Sequence, residues 1–112
     1  MEKINRYHQI IQQWLEEQSL IKPFHEDIEK IIIADTQSGH FQLLMQGWHD
    51  KQFVHQLIFH IQVKSDAKVW IWLNQSDQKI ASELVSRGIA QNDIVLGFQA
   101  PYFRQFTGYA VA

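Results

Sequence analysis

Phe53, His55, Leu57, Phe59, Ile61 and Val63 fall at every second position of residues 52–64. A period of two places alternate side chains on opposite faces of a strand, so these six share one face. A strand with one apolar face needs both neighbours and a cover. The chain is therefore committed to a sheet with something packed against it.

The neighbours are legible on either side. Residues 28–36 contain Ile31, Ile32 and Ile33, whose β-branched side chains favour a pleated surface. Residues 40–48 alternate Phe41, Leu43 and Met45 with Gln42 and Gln46, and Val69 to Leu73 make a fourth strand. The connections at Ser38–Gly39, His49–Lys51 and Ser65–Ala67 are short, which predicts antiparallel pairing of successive strands. The cover is supplied twice. Residues 3–21 carry Ile4, Tyr7, Ile10, Ile11, Trp14 and Leu15 at helical spacing, and Pro23 ends that helix. Residues 77–87 form a second helix with Ile80, Ala81, Leu84 and Val85 on its buried stripe, Ser76 as N-cap and Gly88 just past its end. Ile94 to Phe98 is a strand or a buried extended piece. The predicted fold is α+β: a four-stranded antiparallel β-meander with two helices packed on one face, in the order N-terminal helix, strands, second helix and extended C-terminal tail. With 112 residues and no internal linker, a single domain over 1–112 is expected.

Composition narrows the function classes. The absence of cysteine removes disulfides, thiolate catalysis and cysteine-ligated metals. The start MEKINRYHQ lacks the basic-then-apolar layout of a signal peptide, and no apolar run approaches a membrane span. The expected location is cytoplasmic, away from membranes. Ten basic residues are scattered among twelve acidic ones for a net charge of −2, which disfavours autonomous binding to a phosphate backbone.

Chemistry-bearing patterns are sparse. The six histidines, His8, His25, His40, His49, His55 and His60, lie too far apart for a metal site of recognisable spacing. His55 and His60, five apart on one strand, should point to opposite faces, with His55 a core histidine. Asp35, Glu83 and Asp93 are the acids that a metal-dependent nuclease reading would have to bring together. Ser38 beside Gly39 reads as a turn rather than a nucleophile, and no phosphate-binding glycine loop is present. No cofactor, metal or catalytic residue is expected. Trp70 and Trp72 share a strand face with few cations nearby, so packing or an interface is the favoured reading over base stacking.

The ending IVLGFQAPYFRQFTGYAVA carries no charge after Arg104, so it should dock on its own core or on a partner. Aromatic residues and arginine are favoured at interface centres, which makes Tyr102, Phe103, Arg104 and Tyr109 the candidate partner-binding residues.

An ordered set of short segments resembles one family. The set runs from Tyr7 with Ile10–Ile11 through Asp35–Thr36 before Leu43–Leu44, Gly47–Trp48, His60–Ile61, Lys68-Val-Trp-Ile71 and Ile80-Ala-Ser-Glu-Leu-Val to Gly88–Ile89 and Asp93-Ile-Val-Leu-Gly-Phe98. It closes with Pro101, Arg104, Thr107 and Ala110-Val-Ala112. Over essentially its whole length the chain is similar to the XisI family, the fdxN element excision controlling factors of cyanobacteria. The resemblance implies a non-catalytic controlling factor for excision of a DNA element. Such a factor acts with an XisH-like companion protein, and a separate site-specific recombinase performs the strand chemistry. It implies no catalytic residues. Two segments depart from the family pattern. Leu73-Asn-Gln-Ser-Asp77 stands where a Gln-Asp-Gly-Thr-Glu-like loop is expected, and Gln99-Ala-Pro101 stands where His-Pro-Pro is expected. Roles resting on that glycine loop or that histidine are not carried over. The competing classes are a DNA-binding recombination directionality factor, which needs a basic surface, and a hydrolase, which needs converging carboxylates. A closed twofold homodimer is compatible with either regulatory reading.

Overall fold

The computed structural model describes residues 2–112. Helix α1 (Glu2–Leu20) leads into strands β1 (Ile28–Asp35), β2 (His40–His49), β3 (Gln52–Val63) and β4 (Val69–Asn74). Helix α2 (Ile80–Ser86) and strand β5 (Ile94–Leu96) follow, with 3-10 turns at Gln91–Asp93 and Pro101–Phe106. The strands lie in the order β1-β2-β3-β4-β5. The first four pair antiparallel, as their short turns dictate, whereas β5 runs parallel to β4. The sheet is thus five-stranded and mixed rather than a four-stranded meander. The difference comes from α2: a helix carries the chain back along the sheet, so the strand after it enters in the same direction as the strand before it. With three residues, β5 is too short to show a period in the sequence.

Both helices cover one face. Tyr7, Ile11, Trp14 and Leu15 of α1 and Ile80 and Leu84 of α2 bury against Phe41, Leu43, Phe59, Ile61, Val69 and Ile71 of the sheet. The helices are tied to each other as well. The Trp14 indole N–H donates to Glu83 Oε1 at 3.0 Å, and Arg87 grips the Glu17 carboxylate with two bonds of 2.8 and 2.6 Å. Helix α2 begins three residues later than its sequence suggests, with Lys79 at the N-cap and no side-chain cap. Ser76 is engaged elsewhere: its hydroxyl donates to Asn74 Oδ1 at 2.7 Å and accepts the Gln78 N–H at 3.1 Å. These local bonds offer the backbone a turn in place of a helical start. Asn74 thereby closes the β4–α2 loop, its side chain also donating to the Gln78 carbonyl at 2.8 Å. At the other end, the Gly88 and Ile89 amides bond back to the Val85 and Leu84 carbonyls, so Gly88 ends the helix as expected.

The period-two face of β3 is broken. Leu43 pairs with Phe59 but Leu44 pairs with Leu57, which leaves Ile58 as an extra residue in β3. Phe59, Ile61 and Val63 face the core, while Phe53, His55 and Leu57 sit across from Trp48, Gln46 and Leu44 on the outer face. A one-residue bulge reverses every side chain beyond it. His55 is accordingly an exposed residue stacked on Phe53, not a core histidine. His55 and His60 share the outer face instead of opposing each other.

Candidate functional site

The C-terminal tail is docked on its own domain. The Ala110 N–H donates to the Ile94 carbonyl at 2.7 Å, and Ala110 bridges Val95. Tyr109 packs against the core cluster. The outer face of β4 takes the rest of the contact. Trp70 and Trp72 stack with ring centres 5.0 Å apart and an interplanar angle of 19°. The Arg104 guanidinium lies 5.0 Å from the Trp70 ring centre and the Lys64 ammonium 4.0 Å from it. Arg104 also donates to the carbonyls of Gln99 and Gly97, at 3.1 and 3.3 Å. Gly97 lies so close to Trp72 that a Cβ there would fall 2.8 Å from the ring. Trp70 is buried under this lid, so stacking on a nucleic-acid base is closed to it as the chain stands. Packing, the favoured sequence reading, is what the two rings do.

Docking the tail turns four aromatic side chains outward. Phe98, Tyr102, Phe103 and Phe106 are 51%, 77%, 45% and 70% exposed. Phe103 and Phe106 meet edge to face with ring centres 5.9 Å apart. Of the four residues expected to bind a partner, Tyr102 and Phe103 face solvent, while Arg104 and Tyr109 hold the tail to the domain. Phe98 and Phe106 are exposed as well, and only Phe106 belongs to the 3-10 turn that carries Tyr102 and Phe103. A second exposed apolar area lies on the outer sheet face, where Trp48 and Phe53 pack at 5.0 Å with Ile33 nearer the β1 edge.

The acids do not converge. Asp35 accepts the backbone N–H groups of Gln37 and Ser38 in the β1–β2 turn. The Ser38 side chain first, and then these two backbone groups, hold its carboxyl below the ordinary range. Glu83 serves Trp14. Asp93 is buried and accepts the Tyr7 hydroxyl at 2.6 Å and the Lys3 ammonium at 2.7 Å. Burial alone pushes the Asp93 carboxyl up, but the Lys3 and Tyr7 hydrogen bonds and the Lys3 charge outweigh it and leave the carboxyl below its usual value. Tyr7 is raised, first by burial and then by its bond to Asp93. The Tyr7 oxygen also accepts the Ala90 N–H at 3.2 Å, so this cluster pins α1 to the α2–β5 connection. Among the described residues Asp35, Glu83 and Asp93 each have separate structural partners.

The histidines are less scattered than their spacing suggests. His40 Nδ1 and His60 Nε2 lie 2.9 Å apart on the outer face, where burial first, and then the nearby His40, lower the His60 pKa. His25, Asp27 and His49 each bring a ligand-type atom within 4.8 Å of the others. The spacing argument overlooked this second group because its members meet through strand pairing: Ile28 aligns with Gly47, which sets the residues just before β1 beside the end of β2.

Fold and surface together define a small α+β protein with exposed aromatics, in which Asp35, Glu83 and Asp93 hold helices and turns. The chain belongs to the XisI family, whose model, described as XisI protein, matches residues 1–111. The structure is similar to the crystal structure of a XisI-like protein from Anabaena variabilis, with a TM-score of 0.90 and 35% identity over 97% of this chain and 99% of that one. It is also similar to the fdxN element excision controlling factor XisI from Anabaena variabilis, with a TM-score of 0.82 and 30% identity over 98% of this chain and 99% of that one. No functionally curated protein shows significant similarity to the chain. Among the described residues no helix is long and apolar enough to cross a membrane.

Proposed function

We propose that this chain is a non-catalytic controlling factor for site-specific excision of a DNA element and that it acts by binding an XisH-like companion protein. The observation that carries the reading is the aromatic tail surface. Tyr102 and Phe103, with Phe106 against Phe103, supply contact area of the type enriched at interface centres. Arg104 and Tyr109 hold that surface in shape from behind. The family and the neighbouring excision controlling factor supply the process. The link to the recombinase and to DNA is then indirect, through the companion. Scattered charge disfavours the directionality-factor reading, and separately engaged acids disfavour the hydrolase reading.

Titrating the full chain with its XisH-like companion tests this by calorimetry. Saturable binding is expected, weakened at least roughly tenfold by Tyr102→Ser with Phe103→Ser. Unchanged affinity in that double variant contradicts the surface assignment, and no association at micromolar concentration contradicts the partner.

The exposed Trp48–Phe53 pair favours a second contact, with another copy of the chain, through the outer sheet face. Sedimentation should then show a concentration-dependent dimer that Trp48→Ser abolishes.

A further inference from the structure

His25 and Asp27 precede β1, and His49 ends β2. Gly47, at a φ of +144°, lets these two stretches approach so closely that a Cβ on it would fall 2.7 Å from the Asp27 carbonyl oxygen. The two imidazoles lie face to face, with ring centres 3.7 Å apart and a tilt of 38°. His25 Nδ1 is 3.2 Å from the Asp27 backbone N–H donor and 3.3 Å from Asp27 Oδ2. One nitrogen cannot serve both neighbours. As an acceptor of the N–H its lone pair meets a carboxylate oxygen; as a donor to the carboxylate it turns a hydrogen toward the N–H. His49 adds a buried Nδ1 with no hydrogen-bond partner, while its Nε2 lies 3.8 Å from Asp50 Oδ2. Ligand-type atoms of two imidazoles and a carboxylate thus gather at one place, where the buried His49 Nδ1 has no hydrogen-bond partner.

We propose that His25, Asp27 and His49 bind a divalent transition-metal ion of the zinc type. Two imidazoles and a carboxylate are the donor set that such ions share, and water would complete the coordination. Donors around a tetrahedral zinc sit roughly 3.4 Å from one another, given bonds of about 2.0–2.1 Å. The three ligand atoms, all within 4.8 Å of one another, need to draw together by at most about 1.4 Å. All three side chains have room to do so, being 36%, 56% and 32% exposed for His25, Asp27 and His49. The ion would clamp the α1–β1 connection to the β2–β3 turn, beside exposed Phe24 and Trp48. The proposal is independent of the companion-binding reading, because the tail takes no part in it.

Calorimetric titration of the chelator-treated full chain with Zn²⁺ tests the site. One ion per chain is expected, with micromolar or tighter affinity that weakens in acid, since protons compete with the ion for imidazole nitrogens. His25→Ala and His49→Ala should each reduce affinity at least about tenfold. His40→Ala, which removes half of the competing imidazole pair, should leave it unchanged. Thermal melting of the metal-free variants verifies folding, and His49→Gln offers a milder replacement of the same ligand. Cobalt bound at the same site should give visible absorption that Zn²⁺ displaces. The assignment is overturned by absence of saturable binding, by affinity that persists in both His25→Ala and His49→Ala, or by affinity lost in His40→Ala.

Discussion

Tyr7 occupies the point where α1 meets the far end of the chain, and its hydroxyl both donates to Asp93 and accepts the Ala90 N–H. Tyr7→Phe keeps the ring in the core but leaves a buried carboxylate short of one donor. A loss of about 1–3 kcal/mol in urea unfolding is expected. The same cluster sets an acid limit on stability. The Asp93 carboxyl is held below its unfolded value, so its contribution is fully present above the unfolded pKa and disappears as pH falls through the folded one. Stability should therefore drop below the ordinary carboxylate range, and Asp93→Asn should flatten that drop in unfolding curves taken across acidic pH. His60, whose pKa is lowered by burial and then by His40, works in the same direction at higher pH. It favours the folded state above the histidine range and loses that contribution as pH falls. None of these pairings was visible in the sequence. Tyr7 and Asp93 are 86 positions apart, and only the return of the chain through α2 joins them.

Among the elements, local pattern determined type and tertiary context determined direction and phase. The helical stripe of α1, the alternation of β2 and the three tight turns were legible because each is fixed within a few residues. The parallel entry of β5 was not, since it depends on where α2 puts the chain down. The bulge at Ile58 was equally hidden. Both alternating sets of β3 contain apolar side chains, so the sequence does not mark where the phase changes. Phe53 and His55 therefore read as core residues in the sequence, whereas the bulge puts both on the outer face. The tail is the element with the sharpest test. Gly97→Val drives a side chain into Trp72, and Arg104→Ala removes both its cation–π contact and two carbonyl caps. Either should lift the tail from β4, with Trp fluorescence shifting to the red. Arg104→Ala should cost about 1–2 kcal/mol in stability. An unshifted spectrum in both variants contradicts the docked arrangement.

Across the whole molecule the helices close one face of the sheet, and the tail closes only the β4–β5 end of the other. That division leaves two apolar areas: the aromatic tail surface and the outer face around Trp48 and Phe53. A small protein whose exposed surface is rich in aromatics is suited to holding partners. The sequence singled out the tail because it is apolar and uncharged to its end. The structure divides its residues into those that face out, Tyr102 and Phe103, and those that face in, Arg104 and Tyr109. This division separates two kinds of variant. Outward substitutions should weaken binding without loss of stability, whereas inward ones should lower both. The most direct measurement is the affinity of the full chain for the proposed XisH-like companion, compared with that of Tyr102→Ser with Phe103→Ser at matched thermal stability. The account predicts saturable binding that falls at least about tenfold in the variant. Equal affinity of the two proteins, or no binding by either, contradicts it.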